Sequence, residues 1–230
     1  MSLLLPKTLT GDALKATGIH LGIKGMVSKD MARFVTEVTP NGNPIMDIDA
    51  IISRLEAAGR FIAREGQNEQ TLILYATEAR FENALKSFHR ATLLPTIYKR
   101  FRPGTLTNAK LSDYVDASVL IVSDPTNGVP RKQGQAPTGD CRAMQEASKE
   151  GIPVVAICDT NATFDNVDFC IPGNNYGVRS TATIFYLLAR SVLLASGTQA
   201  PDRELRSYIK DEPLTIEDFE TVLVEEAKEE

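Results

Sequence analysis

The segment 99–108, Lys-Arg-Phe-Arg-Pro-Gly-Thr-Leu-Thr-Asn, combines the residue types that bind a polyanion. Three cations surround one aromatic ring, Pro103-Gly104 ends any regular structure, and short hydroxyl and amide side chains follow. Cationic side chains neutralise phosphates, and an exposed aromatic ring can stack on a base. The segment therefore favours a nucleic-acid contact, with Phe101 either stacking on a base or, as we favour, anchoring the segment in the core.

The distribution of charge places basic residues around this segment. The net charge of −5 argues against nucleic acid, but residues 211–230 carry nine acids and one lysine, and the rest of the chain has a charge of +3. Between Lys86 and Lys132 there are eight cations and three acids. The sequence thus predicts a basic surface on an acidic protein.

The sequence offers little for catalysis or metal binding. The three cysteines lack CxxC spacing and the two histidines are far apart, which disfavours a zinc site or a disulfide framework and favours buried thiols in a reducing compartment. We find no GxGxxG, no P-loop and no local Ser-His-Asp or Cys-His set, and we interpret Asp159, Asp165 and Asp168 as turn-forming residues. We therefore expect no catalytic residue, no metal, no cofactor and no small-molecule substrate.

No apolar run approaches the roughly 18 to 20 residues that cross a bilayer, and the apolar start is too short for a signal-peptide core. The sequence predicts a cytosolic protein without a membrane partner.

The hydrophobic pattern predicts a mixed fold. A short helix over 11–17 and a glycine-rich loop over 18–25 precede a hairpin whose strands, 33–38 and 44–48, flank an Asn-Gly turn. Apolar positions at helical spacing follow, up to Gly66. The later predicted strands cover 71–76, 92–97, 117–122, 153–158 and 169–171, and the later helices 78–90, 140–149 and 180–194. Nearly unbroken apolar strands between helices predict a three-layer, doubly wound α/β fold with a parallel five-stranded sheet and an N-terminal hairpin and helix extension.

We predict three regions in the chain. Residues 1–32 form an N-terminal extension, 33–197 form the α/β domain with its hairpin and first long helix, and 198–230 form an acidic tail that is mobile from Asp211 onward.

Two loops at the carboxyl ends of predicted strands are candidates for ligand contacts. Residues 123–139 are long, rich in turn residues and basic at Arg131-Lys132, which fits either a disordered excursion or an RNA-contacting finger. Residues 173–179 precede a long helix and can hold a phosphate on free backbone N–H groups, with Arg179 adding charge.

Several motifs together carry a resemblance to a known family. They are Gly18-Ile-His-Leu-Gly22, residues 100–108, Asp124-Pro125, Gln145-Glu-Ala-Ser148, residues 152–161 and residues 167–175. In this order and spacing, over roughly residues 10–195, the chain resembles the ribosomal protein S2 family. The segment 110–117 leaves no room for the helical insertion typical of bacterial members, so the resemblance is to the archaeal and eukaryotic branch.

The resemblance implies a flavodoxin-like sheet and a protein that binds small-subunit rRNA and neighbouring ribosomal proteins, late in subunit assembly and near the head–body junction on the solvent side. It implies a structural constituent of the ribosome that acts in translation in the cytoplasm. The chain departs from the family by inserting most of 126–139, so the contacts of that loop do not carry over.

The motifs and basic loops together give the expected RNA-binding residues. They are His20, Lys24, Lys29, Lys99, Arg100, Arg102, Thr105, Thr107, Asn108, Lys110, Arg131, Lys132 and Arg179. The alternative is a flavodoxin-like nucleotide- or cofactor-binding enzyme that uses the Gly173–Ser180 loop. A third possibility is a protein-interaction scaffold whose acidic tail docks on a basic neighbour.

Overall fold

The computed structural model describes residues 11–67, 72–76, 78–94, 96–97, 101–130, 132, 135–198, 205–207 and 212–220, without the side chains of 66–67 and 72–75. The helices are α1 Gly11–Ala16, α2 Ile48–Gln67, α3 Glu82–Thr92, α4 Gly139–Glu150 and α5 Val178–Ala195. The strands are β1 Val35–Val38, β2 Pro44–Met46, β3 Leu72–Tyr75, β4 Thr96–Ile97, β5 Val119–Val122, β6 Val154–Cys158 and β7 Phe169–Pro172. Short 3₁₀ helices cover Met31–Phe34, Ala79–Phe81 and Ile216–Phe219.

The main sheet has the strand order β4-β3-β5-β6-β7, and every pairing in it is parallel. Every residue of β5 and of β6 is buried, as continuous apolar runs require when both faces of a parallel sheet are covered. The predicted α/β class, with a parallel sheet and helices, is confirmed.

A smaller two-stranded sheet precedes the main one. β1 pairs antiparallel with β2, with Val38 opposite Pro44, and the register shifts between Val35 and Glu37. In the turn between the strands the Thr39 hydroxyl accepts a hydrogen bond from the Asn43 N–H at 3.0 Å. The other side of β2 is bridged by Leu21, opposite Ile45, so the N-terminal loop continues this small sheet.

α2 begins where the sequence predicts it. The Asp47 carboxylate accepts the Asp49 N–H at 3.0 Å, which satisfies one of the N–H groups that a helix start leaves unpaired. Its apolar positions, Ile51, Ile52, Leu55, Ala58 and Ile62, are all buried. The helical spacing in the sequence therefore marks the face that packs against α5 and β7.

The helices cover the sheet from two sides. α5 packs against α2 and α3, with the Phe185 ring edge-on to Phe81 and Phe88 at 6.3 and 6.4 Å between centroids. α4 packs instead on β5 and β6. The central strands are in this way shielded from water on both faces.

α5 is long and apolar in its average composition, but it is not a continuous apolar run. Its 18 residues have the length and mean hydropathy, 1.3, of a helix that could cross a bilayer, although the sequence predicts no such run. Arg179 and Arg190 interrupt its apolar pattern, so the sequence contains no continuous apolar run here. Because 78% of this stretch is buried inside the protein, we interpret α5 as the central core helix.

Part of the acidic tail packs on the body. Leu214 and Phe219 are buried, and the Phe219 ring lies edge-on to Tyr186 of α5 at 5.8 Å between centroids. The Ser87 hydroxyl of α3 donates to the Asp218 carbonyl at 2.6 Å. The prediction of a mobile chain from Asp211 onward does not hold for 212–220, because two apolar anchors outweigh the surrounding acids. Residues 211 and 221–230 lie outside the described part of the chain.

Candidate RNA-binding surface

The basic loop that follows β4 is a compact series of turns. Within it, the Thr105 N–H donates to the Arg102 carbonyl, and the Asn108 N–H donates to Gly104 at 2.8 Å. Gly104 has a φ of +95°, a conformation that L side chains rarely adopt. The backbone of 101–111 is therefore held by its own hydrogen bonds, and the Pro-Gly pair forms a defined turn.

The underside of this loop is fixed to the core and to α4. Phe101 and Leu106 are buried, so the prediction that Phe101 anchors the loop is confirmed. Both oxygens of the buried Glu146 carboxylate accept the Gly104 N–H, at 2.8 and 3.0 Å, and one also accepts from Arg142 at 3.1 Å. A buried charge that accepts these donors holds the loop rigidly on α4.

The outer surface of the loop carries the predicted contact residues. Arg102, Thr107, Asn108 and Lys110 are exposed. Arg102 is also paired with Asp113 at 2.7 Å, on a side chain that is 73% exposed. Thr105 differs from the prediction: it is buried and its hydroxyl donates to the Arg102 carbonyl at 2.7 Å, so it stabilises the turn.

The glycine-rich N-terminal loop is anchored at the carboxyl ends of β6 and β7. The Ile23 N–H donates to the Thr160 hydroxyl at 3.0 Å, and the Ser28 N–H donates to the Thr160 carbonyl at 2.8 Å. A β carbon on Gly22 would lie 2.2 Å from the Thr160 side chain, so only glycine allows this approach. Lys24 and Lys29 are exposed on the anchored loop.

His20 lies on the same loop but has a different character. It is half-buried, and burial, with the nearby charge of Lys15, lowers the pKa of its imidazole. The ring is therefore neutral at pH 7 and presents hydrogen-bonding groups without a charge to neutralise a phosphate.

The inserted loop is closed at its base. The Thr138 N–H donates to the Gly128 carbonyl at 3.0 Å, and the Cys141 N–H donates to Asn127 at 3.0 Å. A β carbon on Gly128 would overlap the Thr138 carbonyl, which fixes glycine at this crossing. Lys132 is exposed beyond the crossing.

Three predicted contact residues, Lys99, Arg100 and Arg131, lie outside the described part of the chain.

The loop before α5 corrects the prediction of free backbone N–H groups. The Gly173 N–H donates to Cys158, the Asn174 N–H to Ile19, and the N–H groups of Tyr176 and Gly177 to the Asn174 side chain. Four donors of the proposed phosphate cradle are thus already paired within the protein. Arg179 is exposed and lies 3.7 Å from the Glu220 carboxylate of the tail.

The aspartates near β6 differ in their partners: Asp165 bonds within its own turn, as predicted, whereas Asp168 bonds to the first residue of β6. The Asp168 carboxylate accepts the Val154 N–H at 2.8 Å, and that of Asp165 accepts the Thr163 hydroxyl at 3.1 Å. Burial is the main cause that raises the pKa of Asp159 to about 6. Hydrogen bonds from Thr160 and Ile23 lower this pKa, and the negative charge of Asp124 raises it. Within the described ranges no cluster of three or more His, Cys, Asp or Glu side chains is arranged to hold a metal ion.

Different elements hold the two basic loops. The hydrogen bonds of the N-terminal loop go to the hairpin and to the ends of β6 and β7, whereas those of the loop after β4 go to α4 and to its own turns. Each loop is therefore anchored through its own set of hydrogen bonds.

A comparison with protein families matches a model of ribosomal protein S2 to residues 14–119 and 136–195. The chain belongs to the ribosomal protein S2 family. Its relatives include the small ribosomal subunit protein uS2 of Thermoplasma volcanium, 36% identical over 89% of this chain and 92% of that protein. The uS2 proteins of Picrophilus torridus and Nanoarchaeum equitans are 37% and 33% identical, over 95% and 91% of this chain and 96% and 94% of theirs.

The match to the S2 family is interrupted at 120–135. This gap includes the first ten residues of the inserted loop that the motif spacing places at 126–139. In the structure the hydrogen bond from the Thr138 N–H to the Gly128 carbonyl joins the two ends of the loop, and α4 begins directly after it. The gap also covers 120–122 of β5, so it is wider than the loop itself.

Glu146 is a positioning residue that the sequence prediction did not include. In the sequence Glu146 belongs to the motif 145–148, which carries part of the S2 resemblance. An acidic residue in a protein with a basic loop is not by itself a reason to expect a buried carboxylate. Its contact with the Gly104 N–H spans 42 residues of sequence, so no local pattern predicts it.

Proposed function

We propose that this chain is a non-enzymatic structural constituent of the small ribosomal subunit, which binds rRNA and neighbouring ribosomal proteins during translation and subunit assembly in the cytoplasm. The observation that carries the proposal is membership of the S2 family over most of the chain, with relatives named as small ribosomal subunit proteins along nearly their whole length.

The RNA contact surface that we propose consists of two anchored loops. Arg102 and Lys110 project from the loop held on α4, and Lys24 and Lys29 project from the loop held on β6 and β7. Because hydrogen bonds already hold the backbone of each loop, phosphate binding requires little further ordering of the backbone, which favours binding at a fixed position. Thr107 and Asn108 add hydrogen-bonding groups beside these cations, and Lys132 extends the surface onto the insertion.

We further propose that the fold is the flavodoxin-like, three-layer form, with five parallel strands and the hairpin and helix as an N-terminal extension. Counted along the main sheet, the strand order is 2-1-3-4-5, which is the flavodoxin order. The division into residues 1–32, 33–197 and 198–230 is part of this proposal. Docking of the acidic tail on a basic neighbouring protein stays a prediction.

The alternative, an enzyme that binds a nucleotide at Gly173–Ser180, has less in its favour. Four of the N–H groups that a phosphate would need, those of Gly173, Asn174, Tyr176 and Gly177, already donate within the protein, and the Ser180 hydroxyl lies 2.9 Å from both the Asn174 and the Gly177 carbonyl oxygens. None of the relatives named above is named as an enzyme.

Salt-dependent binding to small-subunit rRNA tests the contribution of the loop after β4. We expect the double variant Arg102→Ala, Lys110→Ala to lower the affinity and to reduce the slope of log affinity against log salt by about 0.7 to 0.9 for each phosphate that is no longer neutralised. The control is Lys86→Ala, which removes an exposed, ion-paired lysine from α3. An unchanged slope in the double variant would exclude these residues from the RNA contact.

A further inference from the structure

Tyr176 is an exposed aromatic ring at the carboxyl edge of the main sheet. It lies between β7 and α5 and keeps 47% of its surface accessible. Every other Phe or Tyr side chain in the described part of the chain is buried or half-buried. Among the aromatic rings of the described residues this exposure distinguishes Tyr176, and an exposed ring offers a face on which a ligand can stack.

The Arg80 guanidinium covers one face of the Tyr176 ring. The Arg80 guanidinium lies 4.3 Å from the centroid of Tyr176 and 4.7 Å from that of Phe81, the geometry of cation–π contacts. Arg80 is itself fixed by ion pairs with Glu78 at 2.7 Å and with the buried Asp124 at 2.8 Å. The inner face of Tyr176 is therefore occupied, and the orientation of the ring is set before any ligand arrives.

The backbone beneath the ring is equally fixed. The Tyr176 N–H donates to the Asn174 side chain at 2.9 Å, and the amide of that side chain donates to the Gly18 carbonyl at 3.1 Å. The Asn174 N–H in turn donates to Ile19. Tyr176 is thereby tied to the glycine-rich N-terminal loop, which carries His20, Lys24 and Lys29.

A cation for a neighbouring phosphate lies three residues further along the chain. Arg179, in the first turn of α5, is 67% exposed, and its contact with Glu220 is long, at 3.7 Å. An exposed ion pair of this kind contributes little and can exchange for a phosphate. Most backbone N–H groups of the loop before α5 already donate within the protein. The positive charge that binds the phosphate therefore has to come from the Arg179 side chain.

We propose that Tyr176 is a stacking platform for one unpaired RNA base, with Arg179 on an adjacent phosphate. A base stacks on an aromatic ring regardless of its identity, and a ring whose rotamer is already fixed loses no further conformational entropy on binding. This inference rests on the proposed function and deepens it, since it specifies a single-stranded nucleotide as the ligand of this edge of the sheet.

Binding of the full chain to a labelled ten-nucleotide oligoadenylate, and to an abasic oligomer of the same length, tests the platform. We expect the wild type to bind oligoadenylate about tenfold more tightly than the abasic oligomer. Tyr176→Leu, which keeps apolar bulk without the aromatic face, should remove that difference, and Tyr176→Phe should keep it. Arg179→Ala should weaken both oligomers and reduce the salt slope by about 0.7.

The matched control is Leu93→Ala, which removes an exposed apolar side chain from the end of α3 and should bind both oligomers as the wild type does. Thermal unfolding of Tyr176→Leu shows whether the variant is folded, and Tyr176→Phe decides the role of the ring even if Tyr176→Leu is destabilised. Equal binding of oligoadenylate by the wild type and a folded Tyr176→Leu would overturn the proposal. So would loss of oligoadenylate binding in Tyr176→Phe.

Retention of the variants on small subunits separates this inference from the proposed function. If Tyr176→Leu binds both oligomers normally but leaves the subunit more readily, the ring contacts a protein and the stacking proposal is wrong, while the ribosomal role stands. If the wild type itself does not sediment with small subunits, the proposed function fails whatever the oligomers do.

Discussion

Asp159 is a buried acid at the end of β6 whose ionisation opposes folding. One oxygen accepts the Thr160 N–H, whereas the other makes no hydrogen bond of normal geometry within the described structure. Burial is the main cause that raises its pKa from 3.8 to about 6. Because the folded protein holds this proton more tightly than the unfolded chain, the contribution of Asp159 to stability is present below pH 4 and is lost as the pH rises towards 6.

We expect Asp159→Asn to raise the free energy of unfolding at pH 7, by at most about 3 kcal/mol, and to flatten its dependence on pH between 4 and 6. The amide oxygen can still accept the Thr160 N–H, so the turn should persist. Urea unfolding across this pH range measures the effect, with the exposed Asp165→Asn as control. A variant that is less stable than the wild type at pH 7 would contradict this account of Asp159.

Arg102 is an exposed cation of the proposed surface, and the Asp113 carboxylate is paired with it at 2.7 Å. We expect Asp113→Asn to strengthen rRNA binding at low salt by up to about fivefold, because the guanidinium no longer has to exchange a carboxylate for a phosphate. Glu82→Gln is a matched control, since it removes the same charge from an exposed pair on α3. Equal gains in both variants would indicate a general charge effect without a specific role for Arg102.

At the scale of elements, the contact between Glu146 and Gly104 positions the basic loop on α4. Glu146→Ala leaves the Gly104 N–H without its acceptor in a part-buried site, and we expect a loss of about 2 kcal/mol in stability. Glu146→Gln keeps one oxygen and should lose less. Hydrogen exchange at the Gly104 amide checks the local effect, and unchanged protection in Glu146→Ala would show that other contacts hold the loop.

The packed part of the tail is the second element with a testable anchor. Phe219 is buried against Tyr186, and Phe219→Ala should cost about 3 kcal/mol and release 212–220 from α3 and α5. Faster proteolysis within this segment is the expected result, and Glu217→Ala, an exposed change in the same 3₁₀ helix, is the control. Equal proteolysis of both variants would mean that Phe219 does not anchor the tail.

The elements also show which parts of the fold the sequence can predict. The long helices and the buried strands follow from apolar periodicity, because each buries one face or both. The packed tail does not, since Leu214 and Phe219 are two apolar residues among many acids. The sequence does contain one indication of local structure, the spacing of Thr215 and Asp218. In the structure the Asp218 side chain accepts the Thr215 N–H at 2.7 Å, as in a helix-capping pair.

The contact surface is predictable in its residue types but not in its geometry. Exposed Arg102 and Lys110 agree with the composition of the loop, whereas Thr105 has the same hydroxyl as Thr107 and is buried. The N–H groups before α5 are taken by the Asn174 side chain and by the Ile19 and Cys158 carbonyls, and the last two contacts join segments far apart in sequence. Long-range hydrogen bonds of this kind leave no local pattern to read.

At the scale of the whole molecule, the sheet and its helices act as a rigid frame that carries basic loops on an acidic chain. The described tail segment places Glu220 near Arg179, so part of the acidic charge lies against the body. Its field partly offsets that of the basic surface, while each phosphate that the exposed cations neutralise makes the affinity for rRNA fall as the salt concentration rises.

Sedimentation with small ribosomal subunits across a salt series tests the central claim most directly. We predict that the full chain sediments with the subunit at low salt and leaves it progressively as the salt rises, with the Arg102→Ala, Lys110→Ala variant leaving at lower salt than the wild type and than Lys86→Ala. A chain that stays at the top of the gradient at every salt concentration would contradict the assignment to the small subunit.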